Sequence, residues 1–420
     1  MIIFKLAVKS LAMRRVVTSL TIISIALSTA LLMVVERVRV SAHDSFTGAI
    51  SQTDLIIGAR GGALPLLLNA VFHIGTPAAN MKFATFEQIK ADPKTAWAVP
   101  ITMGDSHRGY RVVATTGDFF AHFRTRRDHI LEFASGNFSE QTFTAVVGSS
   151  VARRLNYKLG DKLALSHGIG EVSFHNHDDH PFRVGGILQA TGSPVDRSIF
   201  VPLSGIEAIH TGWHDGAPPR RDHAVPSDLL AAEKFVIDEI SAVFVGARSK
   251  ADILAMQRYW GDYKKEPLTA VIPGVALDEL WEGLAYGEEA LRLVAVFVVL
   301  VGLTGMLVSV YNSLNERRRE MAILRSLGAT PRVIFGLLVT EAGILVGLGA
   351  ALGVVLTRVL LVGIQPMVAN QFGFYLAVDG FSSVEIIYFC ATLISGLLLG
   401  AIPAWRAYRQ SLSDGLVIRL

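Results

Sequence analysis

The sequence predicts a membrane protein with four transmembrane α-helices and a large mixed α/β extracytoplasmic domain between the first and second helices. Three observations carry this. Hydrophobic residues fill 51% of the 420 positions and charged residues only 18%, below the roughly 25% charged of soluble domains. Four stretches reach the roughly 20 apolar residues that cross a bilayer as a helix. The first and second of these are separated by a polar region of about 250 residues, enough for one or two subdomains.

Taken in order, residues 1–15 read as an amphipathic helix on the cytoplasmic face, with Phe4, Ala7, Val8 and Leu11 on one side and Lys5, Lys9 and Arg15 off it. The first span covers 16–35. Its apolar run exceeds the roughly 7–15 residues of a secretory signal, and no Ala-x-Ala site follows, so an uncleaved anchor is expected. The extracytoplasmic domain covers 36–290, the second span 291–311, a charged cytoplasmic helix and loop 312–332, and the third span 333–362. A short loop at 363–383, the fourth span at 384–402 and a tail at 403–420 complete the chain.

Orientation follows from the basic residues. Lys5, Lys9, Arg14 and Arg15 precede the first span; Arg317, Arg318, Arg319, Arg325 and Arg332 crowd the 312–332 loop; Arg406, Arg409 and Arg419 follow the fourth span. The 363–383 loop has neither Lys nor Arg. Both termini are therefore expected on the cytoplasmic side of the inner membrane. Arg37 and Arg39 oppose the rule locally, but a long translocated domain is largely insensitive to such charges. A net charge of +3 makes no case for nucleic acid, and a single cysteine, Cys390, allows neither an intramolecular disulfide nor a thiolate zinc cluster.

Within the domain, Asp54–Ile57, Tyr110–Ala114 and Thr144–Val147 have strand character. Ser149–Leu155 reads as a short helix capped by its serine, and Leu159–Lys162 as a turn. Thr85–Lys90 and Lys250–Tyr259 read as helices, and Thr211–Pro226 as a loop. The apolar stretch Leu64–Ile74 has two readings, an exposed helix lining a cavity for a lipidic or peptide substrate, or core.

The segment between the second and third spans is the most specific. On a helix, Glu316 and Glu320 stand four apart, as do Met321 and Arg325. Met321, Leu324 and Leu327 or Gly328 form an apolar stripe. Gly328 suits a helix C-terminus and Pro331 the first turn of the next helix. This segment resembles the consensus of MacB/FtsX-type ABC transporter permeases through Glu316, Arg317, Glu320, Ala322, Ile323, Arg325, Leu327, Gly328 and Ala329. Gly148 with Val151-Ala152, Leu159-Gly160-Asp161, and Val184–Leu188 running through Thr191-Gly192 and Asp196 to Ile199–Leu203 are similar to the MacB-like periplasmic core domain. Pro403–Ala407 is similar to the family's stretch after its last helix.

The resemblance implies that this chain is the permease of an ABC transporter, that Glu316, Arg317, Glu320, Ile323, Arg325, Leu327, Gly328 and Ala329 dock on a cytoplasmic ATPase, and that two permeases pair on two ATPases. In such proteins ATP-driven closure moves the periplasmic domain, a process called mechanotransmission. A P-loop needs Gly-Lys, and that dipeptide is absent from the sequence. ATP and Mg²⁺ are therefore expected on a separate partner subunit, the arrangement of lipoprotein-releasing permeases, and no catalytic residue or cofactor is assigned to this chain.

Other residues carry weaker signals. Gly343 and Gly347, Gly349 and Gly353, and Gly396 and Gly400 form small-xxx-small pairs suited to close helix packing, with a gating hinge as the alternative. Glu341 stands about 15 Å along its helix from Pro331, either as an intramembrane acid or near the interface. All 12 histidines lie between His43 and His223. The densest group, His175, His177, Asp178 and His180, offers donors for zinc, or is a solvated loop. Export or extraction of an amphipathic substrate is the leading function. A regulatory transducer of a periplasmic protein and a metal-linked periplasmic binding role are the alternatives. A periplasmic adaptor or lipoprotein and membrane lipid are the further partners expected.

Overall fold

The computed structural model describes residues 2–50, 52–76, 79–125, 129–167, 179–211, 230, 233, 235–316, 323–372, 376 and 380–413. Its helices are α1 (Ile2–Met13), α2 (Arg15–Ala49), α3 (Ala63–Ala70), α4 (Phe83–Ala91), α5 (Asp118–His122), α6 (Ser149–Leu155), α7 (Leu203–His210), α8 (Ile253–Gly261), α9 (Pro273–Glu316), α10 (Pro331–Phe372) and α11 (Ser383–Ser413). Among them α2, α9, α10 and α11 are long and apolar enough to cross a membrane.

These four helices overrun the apolar stretches that predict them. They contain 35, 44, 42 and 31 residues, and at 1.5 Å per residue each exceeds the hydrocarbon thickness. Hydropathy marks where a helix is apolar, whereas backbone hydrogen bonding continues into polar sequence until something stops it. Even proline does not: α10 continues past Pro366 and α11 past Pro403. The tail expected from residue 403 therefore begins as helix and stays so to Ser413. An interior proline removes one main-chain bond and bends a helix, a loss that the flanking turns absorb here.

The chain divides into two compact units. One, helical, comprises Met1–Val40, Ala285–Pro366 and Leu376–Leu420; the other is dominated by Ser41–Leu284. The helical unit has a core in which Ile25 and Leu32 of α2, Ala295, Val299, Leu303 and Met306 of α9, and Ala342, Leu345 and Val346 of α10 pack together. The terminal helix α1 buries Ala7 while Phe4 and Val8 stay exposed, as a helix with an apolar face toward the membrane requires.

The second unit is built on a mixed sheet, 11-stranded among the described residues. Its main strands are β1 (Leu55–Ala59), β2 (Thr95–His107), β3 (Tyr110–Thr115), β4 (Phe133–Gly136), β5 (Thr144–Val147), β6 (Phe182–Leu188), β7 (Ser198–Pro202), β8 (Ala242–Ala247) and β9 (Leu268–Val271). They run in the order β9-β1-β8-β2-β3-β7-β5-β6-β4. Strand β7 pairs in parallel with β3, Ile199 opposite Val112, and β6 in parallel with β5; β1 pairs antiparallel with β8, Ile56 opposite Phe244.

Both faces of this sheet are buried. Leu55, Ile57, Val112, Val147, Ile199, Val201, Val243 and Val245 enter one core, with Met256 and Trp260 of α8. The alternate residues Ile56, Val113, Val146, Phe200 and Phe244 enter the other, where Phe119 stacks on Phe200 and Phe120 meets it edge-on. Successive strand side chains point to opposite faces. A strand covered on both sides therefore reads as a continuous apolar run, as Leu55–Ile57 does.

One local expectation is corrected, and one open reading is decided. The N-cap of α6 is Gly148, extended at φ −63° and ψ 150°, and Ser149 is the first helical residue. The stretch Leu64–Ile74 is core: Leu67, Ala70, Val71 and Phe72 are buried in the second cluster, and of this stretch Ile74 is left exposed. It forms no exposed apolar helix.

Candidate functional site

The segment joining α9 to α10 is built by its termini. Glu316 is the last residue of α9, while Arg317 and Glu320, with the rest of 317–322, lie outside the described residues. The chain is helical again from Ile323 to Ser326. Gly328 N–H donates to the Arg325 carbonyl at 2.9 Å and Ala329 N–H to the Leu324 carbonyl at 3.0 Å. Gly328 sits at φ +92°, in the left-handed region that glycine adopts without penalty. These bonds constitute a Schellman motif, which consumes carbonyls that a helix end otherwise leaves bare. Thr330 then accepts from Val333 N–H at 2.9 Å as Pro331 opens α10. The Leu-Gly-Ala signature is thus a helix stop followed at once by a helix start.

The stop leaves an apolar pair uncovered. Ile323 is 60% exposed and Leu327 is 79% exposed, four residues apart and so on one side of the turn. Leu324 and Arg325 are half-buried. Of the expected stripe, Leu327 is exposed, Leu324 is half-buried and Met321 lies outside the described residues; Ile323 is exposed four residues before Leu327.

The glycines of α10 and α11 are close-approach points. A Cβ added at Gly349 meets the Ile25 side chain at 2.7 Å, and one at Gly353 meets Thr29 at 2.8 Å and the Ala26 carbonyl at 2.9 Å, both on α2. Gly396 and Gly400 of α11 lie against Val346 and Ala342 of α10, and Gly343 lies 3.2 Å from Leu397 by the same measure. Gly347 has nothing within 4 Å among the described residues. Gly302 of α9, which sequence reading passed over, fits against Ser28 of α2. Glu341 is only 4% exposed, beside Leu338, Ala342 and Leu345 in the interior of the helical unit.

That unit also encloses a belt of charge. Glu36 of α2 accepts from Arg39 at 2.6 Å and from Arg292 of α9 at 3.5 Å, and Tyr388 of α11 donates to it at 3.4 Å. Arg39 also faces Glu288 of α9 at 3.6 Å. Arg37, the residue that opposed the orientation rule, donates to both carboxylate oxygens of Glu385 on α11, at 2.8 and 3.1 Å. Arg358 of α10 donates to the same carboxylate at 3.0 Å. Both guanidiniums also reach the Gly380 carbonyl, at 2.5 and 2.7 Å. Glu385 further accepts from Ser382 N–H at 2.9 Å, while the Ser382 hydroxyl accepts from Val384 N–H at 3.3 Å, a reciprocal capping box at the start of α11. Ser-x-x-Glu before an apolar run, and an arginine inside one, were the legible signals.

Of the histidine cluster, His175, His177 and Asp178 lie outside the described residues. His180 stacks on Phe143 at 5.9 Å, and burial, opposed by Asp179, lowers its pKa. Two other histidines are committed to the domain's structure. His107 Nδ1–H donates to the Ala164 carbonyl at 2.6 Å and its Nε2 accepts from Tyr157 at 2.8 Å. His73 Nδ1 lies 2.7 Å from the Ser198 hydroxyl, which itself donates to the Pro194 carbonyl. Burial, with Arg111 nearby, depresses the His73 pKa to about 4.

Comparison with known proteins adds the family. The model of the MacB-like periplasmic core domain matches residues 18–260, and that of the FtsX-like permease C-terminal region matches 292–412. A macrolide export ATP-binding/permease protein MacB of Shewanella sp. (strain ANA-3) is 27% identical over 259 residues, 60% of this chain and 35% of that protein. An uncharacterized ABC transporter permease of Methanocaldococcus jannaschii is 35% identical over 283 residues, 63% of this chain and 58% of that protein. The matches thus span about a third to three-fifths of these relatives. The periplasmic region of MacB from Actinobacillus actinomycetemcomitans superposes with a TM-score of 0.33 at 11% identity, over 55% of this chain and 93% of that one. With a core-domain model covering more than half of the chain, an FtsX-like model covering its C-terminal helices, and four helices able to cross a membrane, the chain belongs to the ABC transporter permeases of the MacB/FtsX type.

Proposed function

We propose that this chain is the membrane subunit that couples a separate cytoplasmic ATPase to export or extraction of an amphipathic substrate at the periplasmic side of the inner membrane. The carrying observation is the exposed Ile323 and Leu327 pair on the capped turn between α9 and α10. An apolar pair presented by a rigid turn between two membrane helices is costly in water and suits a groove on a partner. The adjoining Arg317–Arg319 and Glu316 and Glu320 supply charge to orient that contact. Movement of the docked subunit is passed to α10 because the Gly328 turn leads directly into Pro331, its first residue.

The absence of Gly-Lys means that these 420 residues carry no P-loop of their own. The basic residues flanking the spans support cytoplasmic termini. A relative named for macrolide export supports export as the direction. A pair of permeases on a pair of ATPases, mechanotransmission included, completes the reading.

The test is co-purification of the full chain with a cognate ABC ATPase, together with ATPase rates. Ile323→Asp with Leu327→Asp weakens binding by about tenfold or more, as for a central apolar contact worth at least about 1.4 kcal/mol. Unchanged affinity overturns the docking role. ATPase stimulation by amphipathic small molecules supports export. A response confined to a periplasmic protein indicates a regulatory transducer instead.

A further inference from the structure

We infer that Glu385 is the hub of a charge latch that fixes the Ser383 end of α11 to α2 and α10, and that removing its charge releases α11. This goes beyond the coupling reading and does not depend on it.

Four hydrogen bonds from three groups converge on one carboxylate. Arg37 of α2 grips it with two bonds, Arg358 of α10 with one, and the Ser382 amide with a fourth. Glu385 and Arg37 are both buried. Gly380, at φ +73°, turns its carbonyl onto the same two guanidiniums. Arg358 lies over the Phe381 ring at 4.8 Å, which closes the exposed side.

The electrostatics make the arrangement conditional. The first turn of a helix carries its positive dipole end, so two guanidiniums beside the start of α11 repel it and one another. Glu385 reverses both repulsions. A buried ion pair adds little relative to apolar packing, but breaking one strands the surviving charge. A carboxylate shared by two cations on different helices therefore acts as a clasp, with α11 held against α2 through Arg37 and against α10 through Arg358. The belt around Glu36 joins α2 to α9 through Arg292, so opening the clasp does not disperse those helices, and the long Tyr388–Glu36 bond at 3.4 Å is a weak tie on α11 beside the clasp.

The experiment measures distances between spin labels on the full chain in lipid nanodiscs, in a Cys390→Ser background. Labels at exposed Leu31 and Ile387 report on α2–α11, and labels at exposed Val362 and Ile387 on α10–α11. The unaltered chain gives one narrow distance for each pair. Arg37→Gln adds a longer component to α2–α11 alone, and Glu385→Gln adds one to both. The triple variant Arg37→Gln, Arg358→Gln, Glu385→Gln removes all three charges of the clasp together and returns toward the narrow distances. Distances unchanged by Glu385→Gln, or a triple variant as broad as that single one, overturn the inference. Should Glu385→Gln fail to fold, Arg37→Gln decides: an unchanged α2–α11 distance refutes the latch.

Discussion

The sheet domain and the helical unit solve the same problem, how to bury an acid, in opposite ways. In the domain Asp196 is fully buried, and its carboxylate accepts from the amides of Thr191 and Gly192 and from the Thr191 hydroxyl, each at 2.8 Å. All of these lie within five residues, so the loop carries its own solvation. In the helical unit Glu385 draws guanidiniums from two other helices, 348 and 27 residues away. Only the first turn of a helix has amides to spare, and Glu385 takes one of them from Ser382; hydrocarbon has no water to offer. The apolar surface is inverted to match. The domain hides Phe119, Phe200 and Phe244, whereas Leu20 and Leu27 of α2, Val301 of α9 and Leu398 of α11 are exposed. Burial in the domain is driven by water; in the helical unit, lipid faces the apolar side chains and charge goes inside.

The largest expected effect is a direct attempt to break that contrast. Leu27→Asp places a charge on an exposed, apolar helix face, costing about 2.5–3.5 kcal/mol for insertion at a span centre. The amount inserted, read by protease protection in membranes, falls sharply. A neutral outcome means that α2 faces water. Surface changes in a soluble protein stay within about 0.5 kcal/mol.

The second prediction sharpens the domain's side. The His73 pKa is depressed to about 4 from 6.5, so the unfolded chain binds the proton more readily than the folded one. Its contribution is complete above about pH 6.5 and is lost as the pH falls toward 4, about 3 kcal/mol in total. Unfolding of the domain followed by urea from pH 7 to 4 shows this loss, and His73→Asn, which tolerates the positive φ of 55° at this position, flattens it.

The smallest effect tests packing. Gly353→Leu forces a side chain against Thr29 and the Ala26 carbonyl and costs about 1–3 kcal/mol in thermal unfolding. Gly347→Ala, with open space at its Cβ, is neutral or stabilising by up to about 1 kcal/mol. Equal effects at the two sites remove the distinction between packing and non-packing glycines.

Much of the molecule was legible from sequence because its causes are local. Apolar length announced α2, α9, α10 and α11; continuous apolar runs announced β1, β3 and β5; Leu327-Gly328-Ala329 announced a helix stop. Helix ends were misjudged where the backbone ran on past Pro366 and Pro403. Ile323 and Leu327 were among the expected docking residues, but which apolar side chains of the segment stay exposed was not legible, because helical spacing does not say which of them a neighbouring turn will cover.

By itself, then, the sequence determined the number of membrane helices, the placement of a large domain between the first two, and the family signature after α9, since all three follow from composition and spacing along the chain. Only the tertiary structure decided which charges meet. Arg37 and Glu385 are 348 positions apart, and nothing in either neighbourhood names the other. Their pairing exists because α2, α10 and α11 bring Arg37, Arg358 and Glu385 within hydrogen-bond reach, where each charge is stable only if another helix answers it.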